Sequence, residues 1–239
     1  VKYFADCTRI GTNVKNFPQI VNSATKLTLL GGGSVEKSDL MAALDIAPTL
    51  IAADGGANQA MDWGISPAVV VGDLDSVDRP QAEALGVPMV FVDDQNSTDL
   101  EKCLDKTNAK TVLGVGFLGG RLDHQVAAMN ALALVKDRSV VLIGEEDVVF
   151  RLPPDFTLCL AAGERVSVFP MSEVSATSTG LQWDLDGLPF RPNGQIGCSN
   201  AASGGDMRVQ TLSGDMLMIL PKHLMMDAVT ALEISRQAG

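Results

Sequence analysis

Six short apolar runs, each stopped by a glycine or an aspartate, constrain this chain more than any other feature. Leu27-Thr28-Leu29-Leu30 stops at Gly31-Gly32-Gly33-Ser34, and Leu50-Ile51-Ala52-Ala53 stops at Asp54-Gly55-Gly56-Ala57-Asn58. Val69-Val70-Val71 stops at Gly72-Asp73, and Met89-Val90-Phe91-Val92 stops at Asp93-Asp94. Thr111-Val112-Leu113-Gly114-Val115 stops at Gly116, and Val140-Val141-Leu142-Ile143 stops at Gly144. Runs this short and this rich in Val, Leu and Ile read as buried strands. The segments about 36–45, 57–63, 98–107 and 123–137 read as helices between them. Strands alternating with helices build βαβ units, and those build a mainly parallel sheet flanked by helices. Ligands of such sheets sit beyond the carboxyl ends of the strands, where these Gly and Asp residues fall.

After about Gly144 the helical periodicity disappears and Ser, Thr, Gly and Val dominate. Arg165–Pro170 and Met216–Pro221 read as strands, and turn signals crowd together at Pro153-Pro154, Asp186-Gly187, Pro192-Asn193-Gly194 and Ser213-Gly214. This pattern predicts a C-terminal antiparallel β-sandwich. From Lys222 to Gln237, Leu224, Met225, Ala228 and Leu232 recur at helical spacing and predict a terminal helix. The expected organisation is an N-terminal segment 1–25 with no assigned structure, an α/β domain 26–144, a β-sandwich 145–221 and a C-terminal helix 222–239.

The 239 residues suffice for one large or two modest cores, and 46% hydrophobic content with a mean hydropathy of +0.18 argues against disorder. Net charge is −11 with pI about 4.5, and no Lys/Arg-rich run occurs. Nucleic acid and anionic membrane surfaces are therefore poor partners, and an anionic substrate needs a metal or a few placed cations. Cys7, Cys103, Cys159 and Cys198 are far apart and form no CxxC pattern, which predicts reduced thiols in a cytoplasmic protein and no zinc site. There is no 18-residue apolar run and no signal peptide, and Val1 in place of Met points to a trimmed N-terminus.

The chemistry concentrates in the stops. In Gly72-Asp73-Leu74-Asp75-Ser76 the two aspartates stand two residues apart. On an extended chain they share a side, and two converging carboxylates repel unless a cation binds them. A hard oxygen-ligand cation, Mg²⁺ first, answers that need. In Asp94-Gln95-Asn96-Ser97-Thr98-Asp99-Leu100-Glu101-Lys102, Thr98 and Glu101 match a capping box, which accounts for Thr98 but less well for Asp99. Gly116-Phe117-Leu118-Gly119-Gly120-Arg121-Leu122-Asp123-His124 combines a glycine loop able to approach phosphate with an arginine fork. Asp123 also suits a helix N-cap, Asp54 suits a cap as well as a ligand, and His124 reads as a surface or packing residue. Together Asp54, Asp73, Asp75, Asp99 and Asp123 gather unpaired acids at one sheet edge, which favours a metal-phosphate site over a purely structural sheet.

These residues resemble the thiamine pyrophosphokinases. The likeness rests on DGGAN (54–58), GDLDS (72–76), DQNSTDLEK (94–102) and GGRLDH (119–124), in that order, and continues through Ser178–Trp183 and Cys198-Ser199-Asn200. It spans about residues 26–221, with Leu74 where the family often has Phe and a terminal helix beyond the family's usual ending. The resemblance implies transfer of a pyrophosphoryl group from ATP to the thiamine hydroxyl, giving thiamine diphosphate and AMP. It makes 26–144 the nucleotide-binding catalytic domain and 145–221 the thiamine-binding domain. It implies Mg²⁺ on Asp73, Asp75 and Asp99, charge stabilisation by Arg121, and Asp123 orienting Arg121 or binding nucleotide or metal. Asp54, Asn58, Gln95, Thr98, Lys102, Gly119 and Gly120 then border ATP. Trp183, Ser199 and Asn200 contact thiamine across a homodimer interface. From the residues alone Trp183 reads equally as core and Ser199-Asn200 as a turn. A Mg²⁺-dependent phosphohydrolase with Asp73 as nucleophile and a non-enzymatic thiamine or nucleotide sensor are the alternative readings.

Overall fold

The computed structural model describes residues 24–238. Cys7 and most of the segment 1–25 lie outside the described residues. The described residues divide into two compact units, residues 24–138 with 142–145 and residues 139–141 with 146–238.

The first unit opens with β1 (Lys26–Leu30), α1 (Lys37–Ile46), β2 (Leu50–Ala53), α2 (Gly56–Asp62) and β3 (Val69–Gly72). It continues with α3 (Arg79–Ala84), β4 (Met89–Phe91), α4 (Asp99–Asp105), β5 (Thr111–Val115) and α5 (Leu122–Leu134). The strands pair in parallel in the order β5-β1-β2-β3-β4. Four of these five strands, β5, β1, β2 and β3, are almost wholly buried, as their apolar runs require. Each fully buried Leu or Val in them contributes roughly 1.5–3 kcal/mol. The chain builds outward from β1 to β4 and then returns to the other side of β1 with β5. The strand order therefore reverses between β1 and β5, which opens a crevice at their carboxyl ends. The periodicity reading missed α3. That helix spans only six residues, starts at Arg79-Pro80 and is capped by Asp78, whose Oδ1 accepts the Gln81 N–H.

β6 (Ser139–Ile143) supplies residues to both units. In the second unit β7 (Asp147–Arg151), β13 (Met216–Pro221), β9 (Arg165–Pro170) and β11 (Gly197–Ala201) pair antiparallel in that order. A second antiparallel sheet runs β10 (Ser175–Thr179), β12 (Gly205–Ser213) and β8 (Asp155–Leu160). Strict alternation along β8 buries Phe156, Leu158 and Leu160, and the Phe156 ring lies 5.3 Å from that of Phe150 on β7. The expected terminal helix forms as a short 3-10 turn (Lys222–Leu224) and α6 (Met225–Ala238). Its apolar face, Leu224, Met225, Ala228, Val229 and Leu232, is buried, and α6 packs against β8. No helix among the described residues is long and apolar enough to cross a membrane.

Candidate active site

Two glycine-rich loops leave β1 and β5 side by side. The Gly31 N–H donates to the Val115 carbonyl at 2.8 Å and the Gly33 N–H to the Gly116 carbonyl at 3.0 Å. A Cβ on Gly31 or Gly33 would lie 2.6 Å from the Gly116 carbonyl oxygen, so only glycine lets the two backbones approach this closely. Beyond them opens a cleft of about 500 Å³ whose lining includes Ser34, Asp54, Asn58, Thr98, Asp99, Gly119, Gly120, Arg121 and His124. The reversal of strand order placed a crevice here, and the structure puts four of the sequence motifs around it. Asp73, Asp75, Gln95, Lys102 and Asp123 do not line it, although Asp54 and Ser76, the neighbour of Asp75, do.

Acids collect on one side of this cleft. Carboxylate oxygens of Asp54, Asp73 and Asp75 all lie within 4.8 Å of one another. The sequence reading expected Asp73 and Asp75 to share a side of an extended strand, but β3 ends at Gly72 and Leu74 has a φ of 58°. The two carboxylates meet because Leu74 turns left-handed, not because the chain is extended. Leu74 is held in that conformation by Arg79, whose Nε and Nη2 donate to its carbonyl at 3.1 and 2.8 Å, and by burial of its side chain. Asn58 fastens the same turn from α2, with Nδ2 on the Ser76 carbonyl at 2.8 Å and Oδ1 accepting the Asp78 N–H at 2.7 Å.

Asp54 reaches the group through a second left-handed residue, its own φ being 39°. Its N–H donates to the Val71 carbonyl at 3.0 Å, and a Cβ on Gly72 would stand 2.9 Å from the Asp54 Cβ. The capping alternative for Asp54 does not hold. The N-cap of α2 is Gly55, and Asp54 Oδ1 is buried without a hydrogen-bond partner. Burial, a hydrogen bond to Asp75 and the charges of Asp75, Asp99 and Asp73 push its pKa up to about 6. A buried orphan oxygen facing two further carboxylates fits a hard cation with oxygen ligands.

Thr98 caps α4 through the expected capping box, accepting the Glu101 N–H while Glu101 Oε2 accepts the Thr98 N–H at 2.8 Å. This places Asp99 at the first helical position. Lys102 then lies buried one turn on, with Nζ 3.3 Å from Asp73 Oδ2 and 3.6 Å from Asp99 Oδ1. Burial pulls its pKa down, but the charges of Asp99 and Asp73 outweigh that and leave it raised.

Asp123 is not the N-cap of α5. Arg121 occupies that position, and Asp123 in the first turn binds it, Arg121 Nε donating to Asp123 Oδ1 at 3.1 Å. The Arg121 guanidinium holds the Asp123 carboxyl below the usual carboxylate range. Sequence reasoning missed Ser34 and His124 as cleft residues. The Gly31–Ser34 stop after β1 was the available signal for Ser34, and helical position alone could not show which way His124 faces.

In the second unit Trp183 is 58% exposed, so the reading of it as a core residue fails. The buried Asn200 carboxamide holds the Trp183 backbone, accepting its N–H at 3.2 Å and donating to its carbonyl at 2.7 Å. Ser199, between Cys198 and Asn200, is the third non-glycine residue with positive φ, at 58°, and its N–H donates to Ser167 Oγ at 2.9 Å. Among the described residues, all three such positions fall inside the motifs singled out by sequence.

The chain is similar to known proteins over most of its length. Residues 40–143 match the family model "Thiamin pyrophosphokinase, catalytic domain", and residues 153–215 match "Thiamin pyrophosphokinase, vitamin B1 binding domain". The chain is 31% identical over 212 residues to thiamine pyrophosphokinase 3 of Oryza sativa subsp. japonica, covering 73% of this chain and 78% of that protein. Its fold is similar to that of thiamin pyrophosphokinase from Candida albicans, with TM-score 0.70 at 19% identity over 82% of this chain and 89% of that one. A thiamin pyrophosphokinase from Geobacillus thermodenitrificans superposes with TM-score 0.70 at 22% identity, over 82% and 97% of the two chains.

Proposed function

This chain belongs to the thiamine pyrophosphokinase family, and from that premise we propose that it transfers the pyrophosphoryl group of ATP to the hydroxyl of thiamine, giving thiamine diphosphate and AMP. The observation that carries the reading is the meeting of Asp54, Asp73 and Asp75 beside a glycine-lined cleft. Those carboxylates, with Asp99 linked to Asp73 through their shared partner Lys102, are the residues that would hold Mg²⁺. When bound, the ion would neutralise charge on the phosphates of ATP.

The chain's own residues do the rest. Gly119 and Gly120, both with positive φ, keep the loop before α5 free of side chains where it borders the cleft. Phosphate can there come close to backbone N–H groups. Arg121 presents a planar fork to the same space, and its pairing with Asp123 limits the orientations of the guanidinium. Such positioning and charge stabilisation are what phosphoryl transfer asks of a protein. Thr98 and Asn58 act by holding α4 and the Asp73–Asp75 turn in place. Thiamine is a cation with two aromatic rings, and the exposed Trp183 offers it cation–π contact, with Asn200 bracing the Trp183 backbone and Ser199 preceding Asn200 in the chain. We assign the active form as a homodimer. The undisulfided Cys103, Cys159 and Cys198 support a reducing compartment, and we place the enzyme in the cytoplasm.

The deciding assay supplies ATP and Mg²⁺ with and without thiamine and measures AMP and thiamine diphosphate together. We expect both products in equal amounts and only when thiamine is present. Phosphate release independent of thiamine would mean a hydrolase, and absence of turnover would mean a binding protein; either result defeats the proposal.

A further inference from the structure

Lys102 is a buried cation with no part in the transfer described above. Its side chain is 5% exposed, on a helix that packs against β2 and β3. An ammonium buried this far has lost most of its hydration, and only opposite charge compensates. Asp73, from the turn after β3, lies 3.3 Å away, and Asp99, from the start of α4, lies 3.6 Å away. Asp73 and Asp99 themselves are 24% and 41% exposed, so neither needs a buried partner for its own solvation. Without a cation nothing offsets the repulsion between them, and Asp54 and Asp75 crowd Asp73 further.

We propose that Lys102 is a positioning residue, an internal counter-ion that ties the Asp73 turn to the start of α4 and keeps the acids assembled when no divalent cation is bound. The inference rests on the placement of a divalent cation among Asp54, Asp73 and Asp75 only for its metal-dependent half. Its geometric half stands on the two ion pairs.

The experiment uses the full chain and reads melting temperature in EDTA and in saturating Mg²⁺ for Lys102→Met, Lys102→Arg and the wild type, each also in an Asp73→Asn/Asp99→Asn background. Methionine keeps the aliphatic stem and removes the charge. In EDTA, Lys102→Met should melt lower by about 5 °C or more, while Lys102→Arg should lose less than half of that. In the Asn background the sign should reverse, because Lys102→Met then removes an unpaired buried charge. Mg²⁺ should close most of the gap, so its stabilising effect is larger in Lys102→Met than in the wild type. An equal loss in both backgrounds, or none in either, would overturn the proposal, since a lysine that merely fills space behaves that way. If Lys102→Met does not fold in EDTA, the triple variant should; failure of both counts against the counter-ion role. A wild type whose melting ignores Mg²⁺ would sink the cation placement instead, and the comparison between backgrounds in EDTA would still decide the role of Lys102.

Discussion

Asp54 shows at the scale of one residue what the site does to its own chemistry. It is 5% exposed, its Oδ1 has no partner, and its pKa rises from 3.8 to about 6. In the unfolded chain Asp54 loses its proton near pH 3.8, whereas in the folded protein it keeps that proton to about pH 6. Between those values the folded state binds more protons than the unfolded one, so stability falls as pH rises, and above about pH 6 the full penalty is present. The penalty is on the order of 1–3 kcal/mol. Denaturant melts of the metal-free protein and of Asp54→Asn across this window should therefore diverge, the variant gaining on the wild type until about pH 6 and then running parallel. Saturating Mg²⁺ should shrink the difference. Curves parallel throughout would show that Asp54 is not strained by its neighbours.

At the scale of the element, the turn after β3 carries the site, and Asn58 on α2 is the bolt that fixes it. Its two hydrogen bonds, at 2.8 and 2.7 Å, reach Ser76 and Asp78 on either side of Val77. Asn58→Ala should cost about 1–2 kcal/mol of stability, because both partners can turn to water. It should cost more in function, roughly ten-fold or more in kcat/KM, since residues that orient metal ligands have effects of that size. A chemical melt beside a steady-state assay checks both. A drop in stability with unchanged kcat/KM would mean the turn holds its shape without Asn58. Legibility differed between elements. Runs such as Val69–Val71 announced strands because every residue in them is buried. The six-residue α3 was illegible, because it is too short to show a period and depends on the Asp78 cap and Pro80 instead.

At the scale of the whole molecule, the proposed homodimer makes thiamine binding and association a single equilibrium. A ligand held by groups from two subunits must tighten their association. Thiamine should therefore lower the dimer dissociation constant, and in a Trp63→Phe background it should change the fluorescence of the exposed Trp183. Trp183→Ala should weaken thiamine more than ATP. Sedimentation over a dilution series with and without thiamine supplies the number. A stable monomer that binds thiamine with undiminished affinity would show that one subunit holds the whole thiamine site.

The βαβ order, the change to antiparallel strands after Gly144, the terminal helix and the motifs that gather acids and glycines at strand ends are all written in local sequence. They are legible there because burial and capping act over a few residues and leave local patterns such as Leu27–Leu30 or Thr98–Glu101. How the acids meet follows from contacts between distant segments. Asp73 and Asp75 converge through a left-handed Leu74 that Arg79 holds from five residues away, and Asp54 joins them because Gly72 on the next strand leaves room. Only the tertiary structure turned Lys102 from a lysine on an acidic helix into the buried partner of Asp73, 29 residues earlier in the chain. Electrostatic partnership depends on distance in space, and spacing along the chain carries no record of it.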